Sequence, residues 1–271
     1  MLLIRWAAEE LHPFQISFLR STFGALFTLP WLWQMGWREV RKVDIGRYKW
    51  RVILAFFSMI TWFYAASYLP MAESTALNFT TPLFATVGAA LILKETVRIR
   101  RWTATILGFI GVLIIVRPGA HTFNPVAIVM ILSALAASFS VLIIKALTKT
   151  ESAQSIVMFT FIFLTPLTLI PALFVWQTPS WYVLMLTIGM GAVGTFGNYC
   201  SARAFTLADA SAVLPIDYLR MPVVAFVGFL AFGEVPDALV WIGSGIIACS
   251  SLYIAHREAQ LARQASRARR P

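Results

Sequence analysis

Three ionised side chains stand inside stretches otherwise free of charge: Arg20, Asp217 and Arg220. Asp217 and Arg220 are three residues apart, so a helix carries them on one face. There they can neutralise each other as a structural pair, or one of them can hold a substrate ion or a coupling proton. Burying an arginine in a bilayer helix costs about 2.5–3.5 kcal/mol on insertion scales. Arg20 must therefore face a partner or a wet cavity, unless its long side chain snorkels to the outer interface. The chemistry these three suit is recognition of a zwitterionic or anionic solute.

A second tier of residues can shape such a site. Buried amides, phenols and indoles need hydrogen-bond partners, so Trp62, Tyr64, Asn78, Asn198 and Tyr199 are cavity-lining candidates beside a plain packing role. Glu73 and Asp209 each open a helix, where an acid favours the positive N-terminal end. Placed at opposite membrane faces, they also suit a gating contact. Glu95 and Glu234 close the following helices and are expected to meet loop bases such as Lys94 and Arg98. Pro82 and Pro222 fall inside matching helices. A proline there frees a carbonyl and bends the helix, making both candidates for hinges or for shaping the cavity.

Catalytic chemistry lacks its residues. His12, His121 and His256 are far apart, and none has an acidic neighbour at useful spacing. Cys200 and Cys249 lie in apolar runs and define neither a disulfide framework nor a metal site. There is no phosphate-binding loop, zinc-protease helix or nucleophile elbow. No catalytic residue, metal or cofactor is expected, and the rival reading of a membrane-embedded lipid enzyme lacks its constellation.

The elements that must position these residues follow from composition. Of 271 residues, 59% are hydrophobic and 13% charged, against about 45–50% and about 25% in soluble domains. Mean hydropathy is +0.76. That excludes a soluble domain and disorder, and it indicates a chain surrounded by lipid. Gaps between charges mark nine spans: roughly 14–35, 52–70, 72–93, 102–117, 125–145, 153–176, 180–203, 210–233 and 238–256. The basic segment after 256 is expected to be a helix extension or disordered. The net charge of +10 is not a nucleic-acid signature, because 18 of the 22 Lys and Arg fall on one side of these spans. Only Arg5 and Arg117 lie on the other. The rich side is therefore cytoplasmic, with the C-terminus inside, in an inner (plasma) membrane.

The order of features repeats. Tyr64 to Glu73 matches Tyr199 to Asp209, Pro82 matches Pro222, Glu95 matches Glu234, and Arg5 matches Lys145, with offsets of 135 to 140 residues. The first repeat covers 1–118, the second 119–256, and a basic tail 257–271. The second contains five spans and the first four. The expectation is an all-α, ten-helix membrane fold whose first helix is missing from this sequence, a late start site being the plain explanation. A unit with an odd number of spans inserts its tandem copy upside down, the inverted repeat of many transporters.

The segments ISFLRS at 16–21, ALNFTTPLF at 76–84 with LKE at 93–95, and DYLR at 217–220 with GEVPD at 233–237 resemble the EamA family of the drug/metabolite transporter superfamily. The pattern is also similar to the branch containing S-adenosylmethionine transporters. The resemblance implies a ten-helix inverted repeat, a central cavity and transport of a small metabolite by alternating access. With no ATP-binding motif, a gradient must drive it, with a proton as possible coupling ion. Further partners are membrane lipid and possibly a second copy through the glycines Gly108, Gly111, Gly243 and Gly245. The main rival is a non-transporting structural subunit or truncated paralogue.

Overall fold

The computed structural model describes residues 1–35, 45–91, 99–117, 124–147, 151–207 and 220–268. Asp209 and Asp217 lie outside these segments, as do the side chains of Arg220 and Pro222. Among the described residues all regular structure is helical: α1 Leu2–Ala8, α2 Pro13–Met35, α3 Ile45–Tyr68, α4 Met71–Asn78, α5 Thr81–Leu91, α6 Ile99–Val116, α7 Val126–Leu147, α8 Ala153–Leu173, α9 Trp181–Leu207, α10 Arg220–Phe232 and α11 Ala238–Ala268. By length and composition Tyr48–Tyr68, Val126–Ile144, Ala153–Leu173 and Trp181–Ala204 can cross a membrane, and Trp102–Val116, Val223–Phe232 and Ala238–Ser250 are shorter apolar helices.

Two helices overrun their apolar stretches. α3 starts at Ile45, not near 52, and α11 continues to Ala268 through the basic tail. Charge marks where hydrocarbon stops, whereas a helix stops only at a breaker or a cap. The expected span 72–93 is instead broken into α4 and α5. Pro82 has no N–H for the carbonyl of Asn78, four residues back. The Thr81 hydroxyl donates to that carbonyl at 2.8 Å, and the Thr80 hydroxyl donates to Leu77 O at 2.7 Å. Local hydroxyls thus replace the lost ladder bond, as a lipid setting requires.

The repeat is visible in helix starts, which recur at 13 and 153, 45 and 181, 81 and 220, and 99 and 238. Packing cuts across it. One compact unit comprises residues 1–68 and 139–206, the other 69–138 and 207–271, so each draws helices from both repeats.

In the first unit α2 lies antiparallel to α3. Phe14 faces Tyr64, with ring centroids 6.5 Å apart, and Arg20 reaches Met59 deeper in the unit. α2 also meets its own repeat partner, α8. A Cβ built on Gly24 would stand 2.8 Å from the Phe161 ring, while Gln15 near the start of α2 bonds Gln177 beyond the end of α8. Equivalent helices therefore run in opposite directions. Ile16, Leu11, Phe63, Leu164, Val183 and Met190 form the buried core between them. Of the four crowded glycines on α9, Gly191 and Gly194 meet neighbours at under 3 Å from a built Cβ, and Gly197 meets none.

In the second unit α6 and α11 are again repeat partners and again antiparallel. A Cβ on Gly111 would lie 2.8 Å from the Gly243 carbonyl, and one on Gly243 would lie 2.7 Å from the Gly111 carbonyl. These glycines make a contact within the chain. At one end Arg117 pairs with Asp237. Glu234, expected to meet a loop base, accepts the Met71 N–H at 2.8 Å and caps α4. An acceptor is useful there because the first N–H groups of a helix have no partner of their own. Glu73 lies in the first turn of α4, as expected.

Two outcomes follow from this packing. Gly111→Ala drives a methyl into a backbone oxygen that cannot step aside, so thermal unfolding in detergent should show a loss of about 1–3 kcal/mol. Gly245→Ala, with nothing within 4 Å of its Cβ position, should be neutral or slightly stabilising. Hydrogen bonding to Arg117 holds the exposed Asp237 carboxyl below the usual carboxylate range. Its contribution is complete above that range and fades as the pH falls through it. The melting temperature of the wild type should therefore fall more steeply in acid than that of Asp237→Asn.

Candidate functional site

Arg20 is the eighth residue of α2, about 10 Å along the helix from its start at 1.5 Å per residue. Its Nη1 lies 3.2 Å from the Met59 sulfur, and its Cζ stands 5.7 Å from the Phe63 ring and 5.6 Å from the Phe161 ring. A Cβ on Gly194 would come within 2.8 Å of Nη2 and 3.1 Å of Nε. Four elements thus build the seat: α2, α3, α8 and α9. Gly194 is the fourteenth residue of α9, about 20 Å from that helix's start at the same end of the unit. The guanidinium therefore points inward, opposite to the snorkelling alternative.

The seat is chemically unusual. Two aromatic faces attract the cation, and the thioether is a weak acceptor for one of five N–H donors. Among the described residues no carboxylate lies within ion-pair distance of Arg20. The side chain is surrounded by protein yet partly accessible. A cation so placed retains donors for a solute oxygen.

The other sequence candidates disperse. Trp62 packs on the same core, its ring 5.3 Å from that of Phe63. Tyr64 sits between Phe14 and Tyr68, and Tyr199 stacks obliquely on Trp31 at 5.2 Å. Asn198 is exposed on α9, and Asn78 is half-buried in the second unit. Pro82 is the second residue of α5 and Pro222 the third of α10. Sequence reasoning missed Met59, Phe63 and Phe161, which read as ordinary core. It placed Gly194 among packing glycines. It also missed a second buried guanidinium, Arg51, which donates to Ser140 Oγ at 2.6 Å, and beside it the hydrogen bond from the Tyr48 hydroxyl to Glu151.

Among the described residues the structure is helical, the sequence repeat packs upside down and several helices are apolar enough to cross a membrane, which defines a polytopic membrane protein. The family model described as the EamA-like transporter family matches residues 1–117 and again 124–255. The chain belongs to this family. It is 35% identical to a riboflavin transporter of Vibrio cholerae over 92% of this chain and 85% of that protein. It is 30% identical to an S-adenosylmethionine uptake transporter of Rickettsia prowazekii over 94% of this chain and 86% of that protein. A crystal structure at 17% identity shares the fold, with a TM-score of 0.64 over 94% of this chain and 92% of its own.

Arg20→Met replaces the cation by an apolar side chain in a seat of Met and Phe. The purified variant should unfold at or above the wild-type temperature, because a buried charge with no carboxylate partner among the described residues is weak support for a fold. A loss of several degrees would make Arg20 structural.

Proposed function

We propose that this chain is a secondary transporter that carries a small organic metabolite by alternating access, with Arg20 as the cation that recognises the solute. The observation that carries this reading is the guanidinium held inward among Met59, Phe63, Phe161 and Gly194 with no carboxylate partner among the described residues. Riboflavin and S-adenosylmethionine, the solutes in the relatives' names, both join a planar nitrogen heterocycle to an oxygen-bearing chain. A solute of that chemistry offers acceptor oxygens to a guanidinium. In the same reading Asp217 and Arg220 handle the solute's charge or a coupling proton. Glu73 and Asp209 act at the gates, and Pro82 and Pro222 at hinges. The basic side of the spans, with the C-terminus, faces the cytoplasm of the inner membrane.

The test is uptake of radiolabelled riboflavin and S-adenosylmethionine into proteoliposomes. Wild-type protein should carry one of them, and Arg20→Gln should lose at least about tenfold, the size expected when a buried ionic contact to substrate is removed. Asp217→Asn should lose transport with normal expression. Folded wild-type protein that carries neither solute would overturn the substrate chemistry. Arg20→Gln at full rate would remove Arg20 from the site.

A further inference from the structure

The two ends of the first unit are tied by contacts that the internal repeat exchanges. In the turn before α2, the carboxylate of Glu10 accepts the backbone N–H of Ser180 at 2.5 Å and its hydroxyl at 2.6 Å. Ser180 stands immediately before α9, where its hydroxyl also receives the Val183 N–H. In the turn before α8, Glu151 accepts the hydroxyl of Tyr48 in the first turn of α3. α2 and α8 are repeat equivalents, and so are α3 and α9. Each acid therefore precedes one member of the equivalent pair α2 and α8 and holds the start of the member of the pair α3 and α9 that belongs to the other repeat. α2 and α3 are antiparallel, so the two ties sit at opposite ends of the unit.

Each tie stands beside buried groups, although the Glu10–Ser180 contact itself is exposed. Beside Glu10, the wholly buried Gln15 donates its amide to Gln177 O at 2.6 Å and accepts the Gln177 N–H at 2.9 Å. At the other end the wholly buried Tyr48 ring packs on Phe159 and Phe163, with centroids 5.7 and 6.1 Å away. A gate must part and take in water each cycle, and parting the helix ends at either tie would also break the buried Gln15–Gln177 bonds or uncover the buried Tyr48 ring. Both ties are also closed in one conformation. We infer that Glu10–Ser180 and Tyr48–Glu151 are matched clamps that keep α2, α3, α8 and α9 together as one rigid body through the cycle, carrying Arg20 between them. This rests on the alternating-access reading and names the part that does not deform.

Cross-linking tests it in the reconstituted full chain. Paired cysteines, Glu10→Cys with Ser180→Cys and Tyr48→Cys with Glu151→Cys, should leave uptake within twofold after oxidation, using whichever of riboflavin or S-adenosylmethionine the wild type carries. Uptake below one tenth, restored by reduction, would make the ties gates and overturn the inference. Tyr48→Cys removes a buried ring, so a gentler second measurement stands beside it. Spin labels on Glu9 and Thr178, and separately on Lys49 and Gln154, should each report one distance that added solute does not change. A second distance at either end would overturn the clamp. If the wild type carries neither solute, the substrate chemistry falls, while a second label distance in the protein without solute would still overturn the clamp.

Discussion

Every backbone N–H and C=O in hydrocarbon must find its partner inside the chain, and most of this molecule follows from that constraint. It leaves helices as the way to cross and explains why the described residues contain little else. It also explains the hydroxyls. Thr81 and Thr80 donate to the carbonyls around the Pro82 break, and Thr160, Thr165 and Thr168 return their hydroxyls to carbonyls of α8 at 2.6 to 3.0 Å. In water such groups would be solvated. Here each is turned back onto the chain, so a polar residue can occupy an apolar helix at little penalty.

With backbones satisfied, helices in lipid gain little from hiding apolar surface and must be held by close fit. That is why glycines sit where helices cross: Gly24 under Phe161, Gly191 against Phe23, and Gly111 against Gly243. Polar ties then close the ends, where water is near. Glu234 on the Met71 N–H, Arg117 with Asp237, and Gln15 with Gln177 join segments far apart in sequence. Each joins loops that alternating spans put on one side of the membrane.

The sequence was most legible where hydrocarbon acts directly. Spans, their order and the repeat could be read because a bilayer demands about 20 apolar residues per crossing. Helix ends could not, since Arg47, Lys49 and Arg51 mark the water boundary without stopping α3. Arg20 stood out because a charge is rare in such a run. Its seat did not, because Met59, Phe63 and Phe161 look like any other core residue until three helices bring them to one place. The cap that Glu234 gives α4 was not legible for a related reason, because the Met71 N–H is brought to it only by folding.

Symmetry and its breach divide the labour. The repeat brings equivalent helices together in opposite directions and places an acid tie at each end of the first unit. The two buried guanidinium groups, Arg20 and Arg51, have no such counterparts. At the point of α8 equivalent to Arg20, 140 residues on, stands Thr160, whose hydroxyl bonds back to Ile156 O at 2.6 Å and so satisfies itself. A solute is not symmetric, so its recognition cannot be shared equally between two copies of one unit. The repeat therefore keeps the scaffold in duplicate and places the inward-facing cation in one copy only. Arg20 breaks the repeat inside an otherwise apolar helix, an asymmetry that the proposed solute contact would use.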